Sequence, residues 1–185
     1  MVQVQRQLFT VADYHKMGEV GILSPDDRVE LINGEIIRMS PVRSPHANCV
    51  SVLEELLFEQ LIGKVTIRTQ NPIAISDSSE PEPDVAVVKY GRRRYSKKYP
   101  TSQDVLLIVE VSDSTLKYDR TTKLELYASV GIPEYWIMNI PDGQIEVFRK
   151  PGNGDYSEKL VFKNDEDVRA LSINFKINVE DIFFD

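Results

Sequence analysis

Val105–Val111, an almost unbroken apolar run holding one acid, Glu110, constrains this chain more than any other segment. A run of that kind reads as a strand covered on both faces. A carboxylate inside it costs several kcal/mol unless its charge is compensated. Upstream, Pro81-Glu82-Pro83-Asp84 leads into a second apolar strand, Val85–Val88. Downstream, a helical segment, Asp119–Ser129, carries Lys123 and Tyr127. Side chains alternate along a strand, so Glu110 and Ser112 share one face while Val109 and Val111 take the other. Helical spacing predicts Asp119, Lys123 and Tyr127 on one stripe. If that stripe covers the end of the Glu110 strand, an ammonium lies beside two carboxylates, Asp84 and Glu110. Two acids can share a magnesium-like ion through oxygen, while the lysine orients a water and stabilises developing negative charge. The same residues also suit a structural ion pair, Glu110–Lys123, with Asp84 capping the turn after Pro83. Spacing leaves both open.

The remaining segments supply an α+β frame. Thr10 and Asp13 mark the start of a short helix ending near Gly18. Ser24-Pro25-Asp26-Asp27 is a turn, and Asn33-Gly34 between two apolar-rich arms predicts a type I′ hairpin over Arg28–Met39. Ser44 as cap and Pro45 in the first turn open the longest helix, whose Val50, Leu53, Leu57 and Leu61 recur at helical spacing before Gly63. Val65–Thr69 alternates as a strand, continued after a break by Asn71–Ile75. Beyond Gly131-Ile132-Pro133 come strands at Glu134–Ile140 and Gln144–Phe148, weaker ones near Tyr156–Phe162 and Leu171–Ile177, and a final turn, Val179–Phe183. The expectation is a mixed sheet flanked by the long helix and the Lys123 helix. With 185 residues, one domain is expected, without internal repeats. It divides into an N-terminal helix and hairpin (8–40), a core (41–150) and C-terminal strands (151–185).

Composition narrows the function class. The formal net charge is -7, which disfavours a protein that coats nucleic acid through a general basic excess. It leaves room for one local basic patch. Gly91-Arg92-Arg93-Arg94-Tyr95-Ser96-Lys97-Lys98-Tyr99 is that patch. It lies between the two acid-bearing strands and is expected to project near the site, where Arg92, Arg93, Arg94, Lys97 and Lys98 would contact phosphates and the tyrosines stack on bases. The bland alternative is a solvated loop. One cysteine, Cys49, and the lack of any apolar leader or membrane-length run fit a reducing cytoplasm and no membrane partner. Gly-rich phosphate loops, Gly-x-Ser-x-Gly elbows and Cys-x-x-Cys pairs do not occur.

Taken together, Pro83-Asp84 at a strand start and Glu110 one strand later resemble the PD-(D/E)XK nuclease superfamily. More closely, residues 8 to 150 resemble its Uma-type family of restriction endonucleases. The matching pieces are Glu30-Leu31-Ile32-Asn33-Gly34-Glu35, Ser40-Pro41 with His46, Pro83-Asp84-Val85, Val109-Glu110-Val111-Ser112, Asp119…Lys123…Tyr127 and Glu134-Tyr135-Trp136. One departure stands out: Ser112 occupies the position where the superfamily's lysine is expected, and Lys123 is the residue matching its relocated counterpart. The resemblance implies a restriction-endonuclease-like core and magnesium-dependent phosphodiester hydrolysis of DNA, with Mn2+ as a possible substitute. Asp84 and Glu110 would be metal ligands and Lys123 the catalytic cation. A homodimer is expected on the same ground, because cutting both strands needs two sites. Glu30 is expected as a further acid near the site, with a solvated strand-face glutamate as the alternative. His46, at a helix N-terminus, would contact a phosphate or tune a metal-bound water, or else simply pack. The rival from another class is a catalytically silent module that keeps the fold and binds nucleic acid or protein.

Overall fold

The computed structural model describes residues 6–24, 26–91 and 93–183. Met1–Gln5, Pro25, Arg92, Phe184 and Asp185 lie outside them, and with them the turn proline and the first arginine of the basic run. Helix α1 (Val11–Glu19) starts at a capping box, in which Thr10 and Asp13 bond each other's backbone. It runs past Gly18, which a helix tolerates at modest cost. Strands β1 (Val29–Ile32) and β2 (Glu35–Arg38) pair antiparallel around Asn33 and Gly34, whose φ values of 51° and 79° meet the demand of a type I′ turn.

Gly34 is also hemmed in. A Cβ there would sit 2.8 Å from the Leu8 Cβ and 3.1 Å from the Phe9 carbonyl oxygen. Gly34→Ala is therefore expected to cost at least about 1–2 kcal/mol in urea unfolding, before any clash is counted. An unchanged midpoint would show that the hairpin can shift freely, and with it Glu30.

Helix α2 (Ser44–Leu61) has Arg43, not Ser44, in the cap position, and no side chain caps it. Ser44 has been drawn into the first turn beside Pro45, where proline's fixed φ is already helical. The long sheet comes next: β3 (Val65–Thr69), β4 (Val85–Lys89), β5 (Val105–Ser112), β6 (Glu134–Asn139), β7 (Gln144–Gly152) and β8 (Asp155–Lys163), side by side in chain order. All neighbours are antiparallel except β5 and β6, which are parallel and joined through helices on one face. Asn71–Ile75 does not extend β3; its one pairing is a bridge from Ala74 to Thr101. Gln70 at φ 50° turns the chain away, and Pro72 lacks the N–H a ladder needs.

Alternation divides the core into two. Val85, Val87, Leu107, Val109, Val111, Trp136 and Met138 face α2 through Leu53, Leu57 and Leu61. Ala86, Val88, Ile108, Tyr135 and Ile137 face the opposite way, against Leu124, Leu126, Tyr127 and Ala128. Glu110 points to this second side. The helical segment covering it begins earlier than expected, with α3 (Leu116–Tyr118), passes through a π-helical turn, Asp119–Lys123, and ends as α4 (Leu124–Ser129). Near the C-terminus, β9 (Asp167–Arg169) pairs with β10 (Lys176–Asn178), so the strand expected over Leu171–Ile177 is confined to its end. The expected final turn contains a short helix, α5 (Glu180–Phe183). Among the described residues, no helix is long and apolar enough to cross a membrane.

Candidate active site

Glu30, Asp84, Glu110, Lys123 and His46, far apart in sequence, line one pocket of about 300 Å³. Lys123 is at its centre: Nζ donates to Glu30 Oε2 at 2.6 Å and to Glu110 Oε1 at 3.2 Å. Glu110 Oε1 also accepts from the Tyr127 hydroxyl at 2.7 Å. Glu30 is buried, not solvated, because all four residues of β1 are covered, and its Oε2 takes a further bond from the Glu82 N–H. Asp84 turns toward α2. Its Oδ2 accepts from the Val111 N–H at 2.9 Å and from His46 Nε2 at 3.1 Å, and its Oδ1 from the Gln70 amide. With a carboxylate as partner, Nε2 is the protonated ring nitrogen. The Asp84 N–H in turn donates to Glu110 Oε2 at 3.2 Å, linking the two acids through backbone.

The π turn aims Lys123. Asp119 shares the pocket with the acids, but its Oδ2 is engaged: it accepts from Ser112 at 2.7 Å and Thr115 at 2.6 Å, which fastens the turn's first residue to the end of β5. Arg120 grips the buried Glu146 of β7 through two nitrogens. The extra residue of a π turn rotates the next helical turn about the axis. Lys123 and Tyr127 then both reach Glu110, while the Ser112 hydroxyl holds Asp119.

Charge is unevenly spread here. Burial pushes the Glu110 carboxyl up to about 8, against the pull of Lys123 and with the repulsion of Asp84, Asp119 and Glu30. Burial presses the Lys123 ammonium down, yet attraction from Glu110 and Glu30 outweighs it and holds its pKa above the ordinary lysine value. The shorter bond goes to Glu30, so the ammonium's first partner is Glu30, and Glu110 is the acid in excess. The hydrogen bond to Asp84 raises His46. Burial pushes the Cys49 thiol up to about 12, which leaves it an inert core residue.

The basic run does not reach this pocket. Strands β4 and β5 are antiparallel, so the loop joining them leaves from the end opposite Asp84 and Glu110, about 15 Å away at the strand rise. Arg93, Lys97 and Lys98 are exposed there, and Arg94 pairs with Asp104 at 2.7 Å. Arg92 lies outside the described residues. The cations bordering the pocket are instead Arg28, Arg38 and Arg43, around the hairpin and the start of α2. The sequence does not single them out, because nothing local distinguishes scattered arginines.

The donor set suits a hard divalent cation. Among the described residues, no three His, Cys, Asp or Glu side chains form a ready-made cage. Asp84 Oδ1 and Glu110 Oε2 each take one protein donor, however, so each retains a lone pair in a solvent-connected pocket. Magnesium sites commonly use one or two carboxylates and complete themselves with water and substrate phosphate.

Comparison with known proteins gives a family and a fold. The family model described as "Uma2: Putative restriction endonuclease" matches residues 11–180. A crystal structure from Anabaena variabilis ATCC 29413, described as "a putative nuclease belonging to DUF820", superposes with a TM-score of 0.67 at 18% identity, covering 95% of this chain and 97% of that one. No curated protein matches.

Proposed function

The chain belongs to the Uma2 family, and from that premise we propose that it is a divalent-metal-dependent endonuclease that hydrolyses phosphodiester bonds of DNA. One observation carries the reading: Lys123, nearly buried, is held between Glu30 and Glu110 on the floor of a pocket that also contains Asp84 and His46. A buried cation that only balanced charge would need one carboxylate. Here a cluster with surplus acid opens onto solvent, as an active site does and a sealed ion pair does not.

On this reading Asp84 and Glu110 hold Mg2+, or Mn2+ in its place. Bound there, the ion supplies Lewis-acid polarisation of a phosphoryl oxygen. The Lys123 ammonium stabilises the negative charge that builds on the phosphate as it is attacked. Glu30 keeps that ammonium charged and aimed. Tyr127 fixes the Glu110 carboxylate by donating to Oε1. His46 orients Asp84 from the other side. Hydrolysis of both strands calls for two such sites, which a homodimer supplies. Calorimetric titration with Mg2+ or Mn2+ tests the reading: a binding event is expected, and a flat titration would favour the silent module.

A polyanion must approach six pocket acids, Glu30, Glu82, Asp84, Glu110, Asp113 and Asp119, in a chain of net charge -7. Arg28, Arg38 and Arg43 at the pocket mouth offset that repulsion. Changing all three to Gln is expected to flatten the slope of log affinity against log salt by about 0.9 for each phosphate no longer neutralised. Stability should barely move, since exposed charges contribute little. Neutralising Arg93, Arg94, Lys97 and Lys98 should alter the slope less; the reverse order would move the DNA-binding face to the far loop.

A further inference from the structure

Tyr118 closes α3, immediately before the π turn, and lines the same pocket. Its hydroxyl is buried and has no hydrogen-bond partner among the described residues. Buried polar groups almost always find a partner, and one that does not calls for a reason. Nothing in the fold requires this oxygen: a phenylalanine would fill the same space and leave no donor unsatisfied. Tyr127, one π turn and one helical turn onward, makes the contrast. Its hydroxyl is also buried but is bound to Glu110 at 2.7 Å.

The surroundings say what would complete Tyr118. Its phenol lies in the field of Glu30, Lys123, Asp119 and Glu110, yet donates to none of the three carboxylates. Burial raises its pKa, so the O–H stays protonated and available as a donor. A cation entering the pocket would go to the carboxylate oxygens and leave this O–H still unpaired. An anionic oxygen would satisfy it, and the pocket gathers cations for such a ligand in Lys123, Arg28, Arg38 and Arg43. We propose that Tyr118 is a further substrate-contacting residue, whose hydroxyl donates to a non-bridging oxygen of the phosphodiester seated beside Lys123. This inference rests on the nuclease reading and adds to it a donor whose partner arrives with the substrate.

The test is Tyr118→Phe, an isosteric change, read three ways on the full chain. Without DNA, the variant is expected to melt at or above the parent's temperature, because an unsatisfied buried donor has been removed. It should bind Mg2+ as the parent does, since no carboxylate is touched. Single-turnover cleavage of a DNA duplex should slow on the order of 100-fold, as when one donor to a developing oxyanion is deleted. Tyr127→Phe, which strips a bond from Glu110, should instead lower the melting temperature. A Tyr118→Phe protein that melts several degrees below the parent would make the hydroxyl a structural partner and overturn the proposal. Cleavage within twofold of a cleaving parent would overturn it alone. A parent that cleaves no DNA with Mg2+ or Mn2+ would overturn the nuclease reading and this inference with it.

Discussion

Lys123→Ala is expected to abolish DNA cleavage and to lower folding stability by about 3–5 kcal/mol. Both effects come from one atom. Nζ is bonded to Glu30 and Glu110, and neither carboxylate has another cation within ion-pairing distance among the described residues. Removing it strands two buried acids, and the cost of a broken buried pair is mostly that of the charge left behind. The loss should depend on pH in a definite direction. With its counterion gone, the buried Glu110 takes up a proton more readily in the folded than in the unfolded chain. A raised acid contributes stability at low pH that is lost as pH climbs through its folded value. The gap between parent and variant should therefore be wide at about pH 8 and narrower at about pH 5, measured by urea unfolding at each. Metal binding should survive, because its ligands are carboxylates. Lys123→Arg should restore much of the stability but not the activity, since a planar guanidinium cannot take the place of a compact ammonium. A variant as stable as the parent at the higher pH would show that Lys123 is not the buried counterion described here.

The second large effect is expected at the acids themselves. Asp84→Asn and Glu110→Gln should each eliminate divalent-metal binding and cleavage while leaving folding stability within about 1 kcal/mol of the parent. The asymmetry with Lys123 follows from surplus charge. Glu110 is already pushed up to about 8 by burial and by neighbouring acids, so a neutral amide there relieves repulsion as it gives up an ionic bond. Glu30 remains to pair with Lys123. An Asn at position 84 can still accept from the Val111 N–H. Either variant binding Mn2+ as the parent does would remove that residue from the site.

Much of this frame can be read from the chain because the signals are local. The apolar runs of β4 and β5, the Asn33-Gly34 turn, and the Leu53, Leu57, Leu61 stripe of α2 each carry their own period or punctuation. The family resemblance groups Asp84, Glu110 and Lys123, and the structure brings them to one pocket. Features that depend on strand direction are not legible. The basic run sits between the acid-bearing strands in sequence, but antiparallel pairing sends it to the other end of the sheet. Glu30 reads more readily as a solvated strand-face acid than as part of the site, because a four-residue strand is too short to display alternation. The burial of its whole length is decided by the elements packed on both sides. The Asp84–His46 pair spans 38 residues and has no periodic trace. The π turn has no sequence signature either. It is set by Ser112, Thr115 and Glu146 gripping Asp119 and Arg120, contacts that exist only once the sheet has formed.

Cleavage of supercoiled plasmid DNA by the purified chain, with Mg2+ or Mn2+ and against a chelator, tests the central claim most directly when Glu110→Gln is run alongside. Nicked or linear product is expected from the parent with metal, and none with chelator or from the variant. Uncut plasmid in every lane, or equal cutting by parent and Glu110→Gln, would contradict a metal-dependent nuclease built on Glu110.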